Sequence, residues 1–84
     1  MLTTIKLALR ISTTAFDAEI QLLIDDCLSE MRSVGVLADP TDPQVQTAVI
    51  AYCKWKFGEN AQKEQWEKIY HEKLGQLKLS RRSD

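Results

Sequence analysis

The chain has few of the residues that usually carry chemistry or interrupt structure. Its 84 residues include three Gly, two Pro, two Cys and a single His. So few helix breakers leave room for long regular elements joined by few turns. Two thiols, Cys27 and Cys53, are too few for a disulfide framework, and they form no CxxC pair. Together with His71 they show no metal-ligand spacing, and neither HExxH nor a glycine-rich phosphate loop occurs. No apolar run approaches the ~20 residues that span a bilayer. The opening MLTTIKLALR lacks the apolar core and small-residue cleavage site of a secretory signal, so an intracellular protein with reduced thiols is expected. The net charge of −1 gives no global attraction to nucleic acid.

What is present fits one small globular domain. Apolar residues make up 44% and charged residues 27%, both ordinary for a folded chain. A chain this short buries a modest share of its surface, so association with copies or partners is a common source of added stability. The charge is uneven. Residues 1–42 carry Lys6, Arg10 and Arg32 against seven acids, whereas residues 43–84 carry eight bases against five acids. Such polarity either orients neighbouring subunits or decorates two solvated faces. No internal repeat or low-complexity segment occurs.

Four helical segments are expected. The first runs from about Thr3 to Leu9. The second begins with Thr14 as cap and Asp17 in the first turn, where a negative charge meets free N–H groups. Its apolar positions Phe16, Ile20, Leu23, Ile24, Cys27, Leu28, Met31 and Val34 occupy an arc of roughly 140°, a core-facing stripe. Leu22 lies outside that stripe and is a candidate partner contact. Gly35 stands where a left-handed helix end is wanted. After the loop VLADPTDP, Asp42 caps a third helix with Pro43 in its first turn, running to about Phe57 and stopped by Gly58. Asn60 is the expected cap of a fourth helix through about Leu74, with Trp66, Ile69, Tyr70, Leu74 and Leu77 on one side and Gly75 marking an end or kink. One domain over residues 1–79 is expected, with 80–84, including Arg81 and Arg82, as an exposed tail open to partners.

The densest stretch is AVIAYCKWKFGEN, residues 48–60, with its alternating Lys and aromatics. On a helical wheel the apolar residues of 45–57 cover roughly 260°, which makes this helix the buried centre of the domain. Lys54 and Lys56 then point about 200° apart and form no single basic strip. Lys56 falls in the last turn, where its stem covers the core and its ammonium reaches water. Cys27 and Cys53 lie within the apolar arcs and read as core thiols. His71, at the edge of the fourth helix's apolar face, has no nucleophile partner. Asp25 and Asp26 diverge around their helix and, with Glu19, read as a solvated face. No catalytic, metal or cofactor-binding residue is assigned, and no enzyme activity is expected. The expected core is Phe16, Ile20, Ile24, Cys27, Val49, Tyr52, Cys53, Trp55 and Trp66. The fold class is all-α, a small bundle of about four helices, with a long second helix packed on a buried third and shorter helices at either end.

Taken in order, IKLALRISTTAFDAEIQLLIDDCLSEMRSVGV, then DPTDPQVQTAVIAYCKWKFGE, then EQWEKIYHEKLGQLKLS resemble the head–tail connector proteins of tailed phages, also labelled DNA-packaging proteins. The resemblance covers nearly the whole chain, and none of its motifs is catalytic. It implies a helical protein of a phage or prophage that forms a homo-oligomeric ring beneath the portal protein. That ring would extend the DNA channel in the virion neck and dock head-completion, stopper or tail proteins. DNA would pass through without sequence-specific binding, no membrane would be involved, and assembly would take place in the host cytoplasm. Arg81 and Arg82 become candidates for contact with the portal or with DNA. The alternative from another class is a small helical nucleic-acid-binding or regulatory protein. It would need clustered bases beside exposed stacking aromatics.

Overall fold

The computed structural model describes residues 1–57 and 61–82. Four helices, 72% of the described residues, make an all-α bundle. They are α1 (Leu2–Leu9), α2 (Asp17–Ser33), α3 (Pro43–Lys56) and α4 (Lys63–Ser80). Helix α3 packs against all three others and most extensively against α4. Its sequence explains the position. Val45, Ala48, Val49, Ala51, Tyr52 and Cys53 are all buried, and these residues point in most directions around the axis.

The helix ends follow local chemistry. α1 closes on Arg10, whose left-handed backbone (φ 60°) is uncommon for a residue with a Cβ. The Ile11 N–H then returns to the Lys6 carbonyl at 2.9 Å, and Lys6 Nζ lies 2.7 Å from Asp17 Oδ1, tying α1 to the start of α2. The expected cap of α2 is displaced. Phe16 occupies the cap position, and Thr14 contributes only its backbone carbonyl, to the Asp17 N–H at 3.2 Å. The neighbouring Thr13 hydroxyl accepts from the Ala15 N–H instead. Asp17 and Glu19 still place negative charge in the first turn. At the far end Gly35 takes φ 85°, and the Val36 N–H bonds the Met31 carbonyl at 2.9 Å, closing the helix in the way a glycine allows. Asp42 caps α3 through Oδ1, which accepts from the Gln44 N–H at 3.0 Å, with Pro43 in the first turn.

Two expectations fail at the C-terminal end. Gly75 neither ends nor kinks the last helix. α4 continues through it to Ser80 and, at 18 residues, is the longest element rather than a short one. Helical context overrides a single glycine when residues on both sides bury apolar side chains, as Leu74 and Leu77 do here. Nor is 80–82 a loose tail. The Leu37 N–H bonds the Arg81 carbonyl at 2.6 Å, Val36 and Arg82 form an antiparallel bridge, and Arg81 Nε donates to Asp42 Oδ2 at 2.6 Å. The end of α4 is strapped to the α2–α3 loop. Residues 83 and 84, and the expected stop at Gly58 and cap at Asn60, lie outside the described residues.

The core gathers side chains from every helix and from that loop. Ile5, Ile20, Cys27, Met31, Val36, Val45, Ala48, Val49, Cys53 and Tyr70 are fully buried, with Ile24, Ala51, Tyr52 and Leu77 close behind. Phe16 departs from expectation: it is 46% exposed. Its ring meets Phe57 edge-on at 5.6 Å, so one side is covered by the end of α3 while the other stays open at the helix cap. Trp55 and Trp66 are partly buried against the core rather than inside it.

Candidate functional site

The aromatic and thiol-rich centre is where chemistry would have to reside. Tyr52 of α3 and Tyr70 of α4 meet edge-to-face at 5.1 Å, and Trp55 packs on both rings. Their hydroxyls reach a pair of carboxylates one turn apart on α2. The Tyr52 O–H donates to Asp26 Oδ2, and the Tyr70 O–H donates to Glu30 Oε1 at 2.8 Å. The Cys27 thiol sits 3.9 Å from the Tyr70 oxygen, a weak bond. These contacts satisfy polar ends that would otherwise be buried unpaired. Asp26, expected on a solvated face, is therefore part of a tie between α2 and α3. The wheel could not show this, because the tie depends on which tyrosines α3 and α4 bring alongside.

The electrostatics keep the centre protonated. Burial pushes both thiols up to about 12, with Cys53 adding to the effect on Cys27. Burial likewise raises both tyrosine hydroxyls above their ordinary range, and the adjoining carboxylates disfavour their ionisation further. A thiol becomes a nucleophile or metal ligand as the thiolate, which needs an electropositive and accessible setting. Cys27 and Cys53 have neither. Among the described residues no group of His, Cys, Asp and Glu could hold a metal ion.

The Lys–aromatic alternation also resolves as geometry. Lys54 lies over the Trp66 ring at 4.6 Å, and Lys56 lies over Trp55 at 4.1 Å. Lys56 therefore covers the exposed side of an aromatic instead of extending freely into water. The two bases engage different rings on different sides of α3, and no continuous basic groove forms between them. His71 is exposed and stacks at an angle on Trp55 and Tyr70, with Glu67 at 3.8 Å. The open dish on α4 between Glu64, Glu67, Lys68, His71 and Glu72 is shallow surface rather than an enclosed site.

The remaining candidates are surfaces. Leu22 is 69% exposed, as its position outside the α2 stripe suggests; Leu7 and Leu79 are each 74% exposed and Leu37 57%. Arg82 is exposed, with its Nε donating to the Lys78 carbonyl at 3.3 Å. Arg81 is not free for a partner, since its guanidinium is held by Asp42 and keeps that carboxyl below the usual carboxylate range. Sequence reasoning missed this strap. Only the coincidence of a capping Asp and a late Arg hinted at it, and nothing in either segment fixes their approach.

No helix among the described residues is long and apolar enough to cross a membrane. No curated protein and no solved structure matches the chain. A family model described as phage connector protein matches residues 1–84, the entire chain. The chain therefore belongs to the phage connector family.

Proposed function

We propose that the protein is the head–tail connector of a tailed phage or prophage, acting by assembly rather than catalysis. Copies form a ring beneath the portal, extend the DNA channel and present a docking surface to head-completion or tail proteins. The observation that carries this reading is the family match over the whole chain. The geometry supports it: the reactive groups are buried and protonated, while several large apolar side chains are left on the outside. Small domains of this kind often complete their burial by association. In the virion neck, DNA slides past such a ring, and a strongly basic lining would hinder it.

Phage particles made without this chain test the proposal. They are expected to accumulate as heads that lack tails and leak DNA, and addition of the purified protein is expected to restore tail joining. Heads that join tails normally without it would refute the connector role. The nucleic-acid-binding alternative predicts tight DNA binding with a steep salt dependence in a gel-shift titration. The connector reading predicts weak binding or none.

A further inference from the structure

Two exposed leucines sit in opposite electrostatic settings. Leu22, on the outer face of α2, has Glu19 three residues before it and Asp25 three after it, both exposed, with Asp26 beside them accepting from the Tyr52 hydroxyl. No base occurs between Asp17 and Asp26. Leu79, in the last turn of α4, has Lys78 beside it and Arg82 three residues on, both exposed. Residues 73–82 hold four bases and no acid, with Arg81 alone engaged by Asp42. One turn before Leu79 stands Gly75. It is exposed and interior to a helix, where glycine is a poor residue. A Cβ added there would meet nothing within 4 Å, so nothing within the chain requires its smallness. A gap beside an exposed leucine is what a close-approaching partner would use.

The two patches belong to different helices. The strap places the end of α4 beside the end of α2, whereas Leu22 lies in the first third of α2, roughly 15 Å away along the helix rise. Contact of either patch with its own copy across a two-fold axis would set acid on acid or base on base. Unlike patches set apart on one molecule suit a head-to-tail contact.

We propose that the acid-ringed Leu22 face of one copy docks on the base-ringed Gly75–Leu79 seat of the next, Leu22 filling the gap that Gly75 leaves. This rests on the ring reading above and assigns its subunit interface.

Charge reversal on exposed positions tests the assignment with little risk to folding, which circular dichroism checks. Self-association of the full chain is followed by sedimentation at low salt. Glu19→Lys with Asp25→Lys, or Lys78→Glu with Arg82→Glu, is expected to weaken association about tenfold or more. Mixing the two defective proteins, or combining all four changes in one chain, is expected to restore it. Gly75→Gln is expected to raise helix stability while lowering association, a combination that a purely internal role for Gly75 would not give. Wild-type association that survives both reversals, or that mixing fails to restore, overturns the assignment and leaves the ring reading standing. A wild-type chain that stays monomeric at low salt, where charge pairing is strongest, also overturns it. Binding of that same chain to portal-bearing heads then decides separately whether the ring reading survives.

Discussion

Helices α2 and α3 divide the work of the molecule between them. α2 buries one stripe, Ile20, Ile24, Cys27, Leu28 and Met31, and leaves Glu19, Leu22 and Asp25 outside. α3 has little outside left to it: it lies among the other three helices and buries six of its fourteen residues. A helix with one buried stripe has a second face for selection to use, whereas a nearly encircled helix can serve only stability. Substitutions in the centre around α3 are therefore expected to act on folding, and substitutions on the outer face of α2 on assembly.

The sharpest test of that division is Tyr70→Ala against Leu22→Ala. Tyr70 is fully buried against α3 and its hydroxyl engages Glu30, so truncation is expected to destabilise by about 3–5 kcal/mol. That is enough to unfold a domain at the marginal end of natural stabilities. Leu22→Ala is expected to change stability by no more than about 0.5 kcal/mol. Chemical denaturation of the two variants measures both. Similar losses in the two would remove the distinction between core and outer face.

Alkaline pH probes the same centre without mutation. The folded chain holds its thiol protons up to about 12, while an ordinary thiol releases its proton near 9.0. The unfolded chain therefore loses protons first. The stability owed to these groups is full below pH 9.0 and declines as pH rises from there towards 12, with the buried tyrosines adding to the loss. Thermal melts across that window are expected to show a falling midpoint, whereas a flat profile would mean that the thiols are open to water.

Smaller effects refine the picture. Cys53→Ser puts a hydroxyl where the thiol is fully buried and is expected to cost about 1–3 kcal/mol in denaturation. Gly35→Ala forces a Cβ into a left-handed conformation and is expected to lower stability by about 1 kcal/mol, although the space around it is open. Gly75→Ala is expected to do the reverse, adding about 0.5–1 kcal/mol, because α4 is regular there and the space is equally open. The opposite signs at two equally uncrowded glycines isolate backbone conformation as the cause.

Much of the fold is legible in the sequence because it depends on neighbours along the chain. The α2 stripe, the Asp42–Pro43 start of α3 and the left-handed Gly35 follow from spacing and residue type. The misread parts depend on contacts between distant segments. Val36 and Ala38 sit in a loop without periodicity and are nonetheless buried, since the end of α4 comes to rest near them. Phe16 looks like the first residue of the stripe, but it falls at the cap, where it meets Phe57 and stays about half exposed. The Tyr52–Asp26 and Tyr70–Glu30 ties join residues 26 and 40 positions apart, beyond the reach of any local pattern. Of the candidate surface, Leu22 stands out on the wheel, whereas the seat around Gly75 emerges only once α4 is seen to continue past it.

The strap has a practical consequence for locating the protein in a particle. Arg81 and Arg82 are anchored beside Val36, Leu37 and Asp42. A gold-binding or fluorescent label placed next to Arg82 would therefore report the position of that corner. Its density in an averaged image would mark which rim of the neck the α2–α3 corner faces.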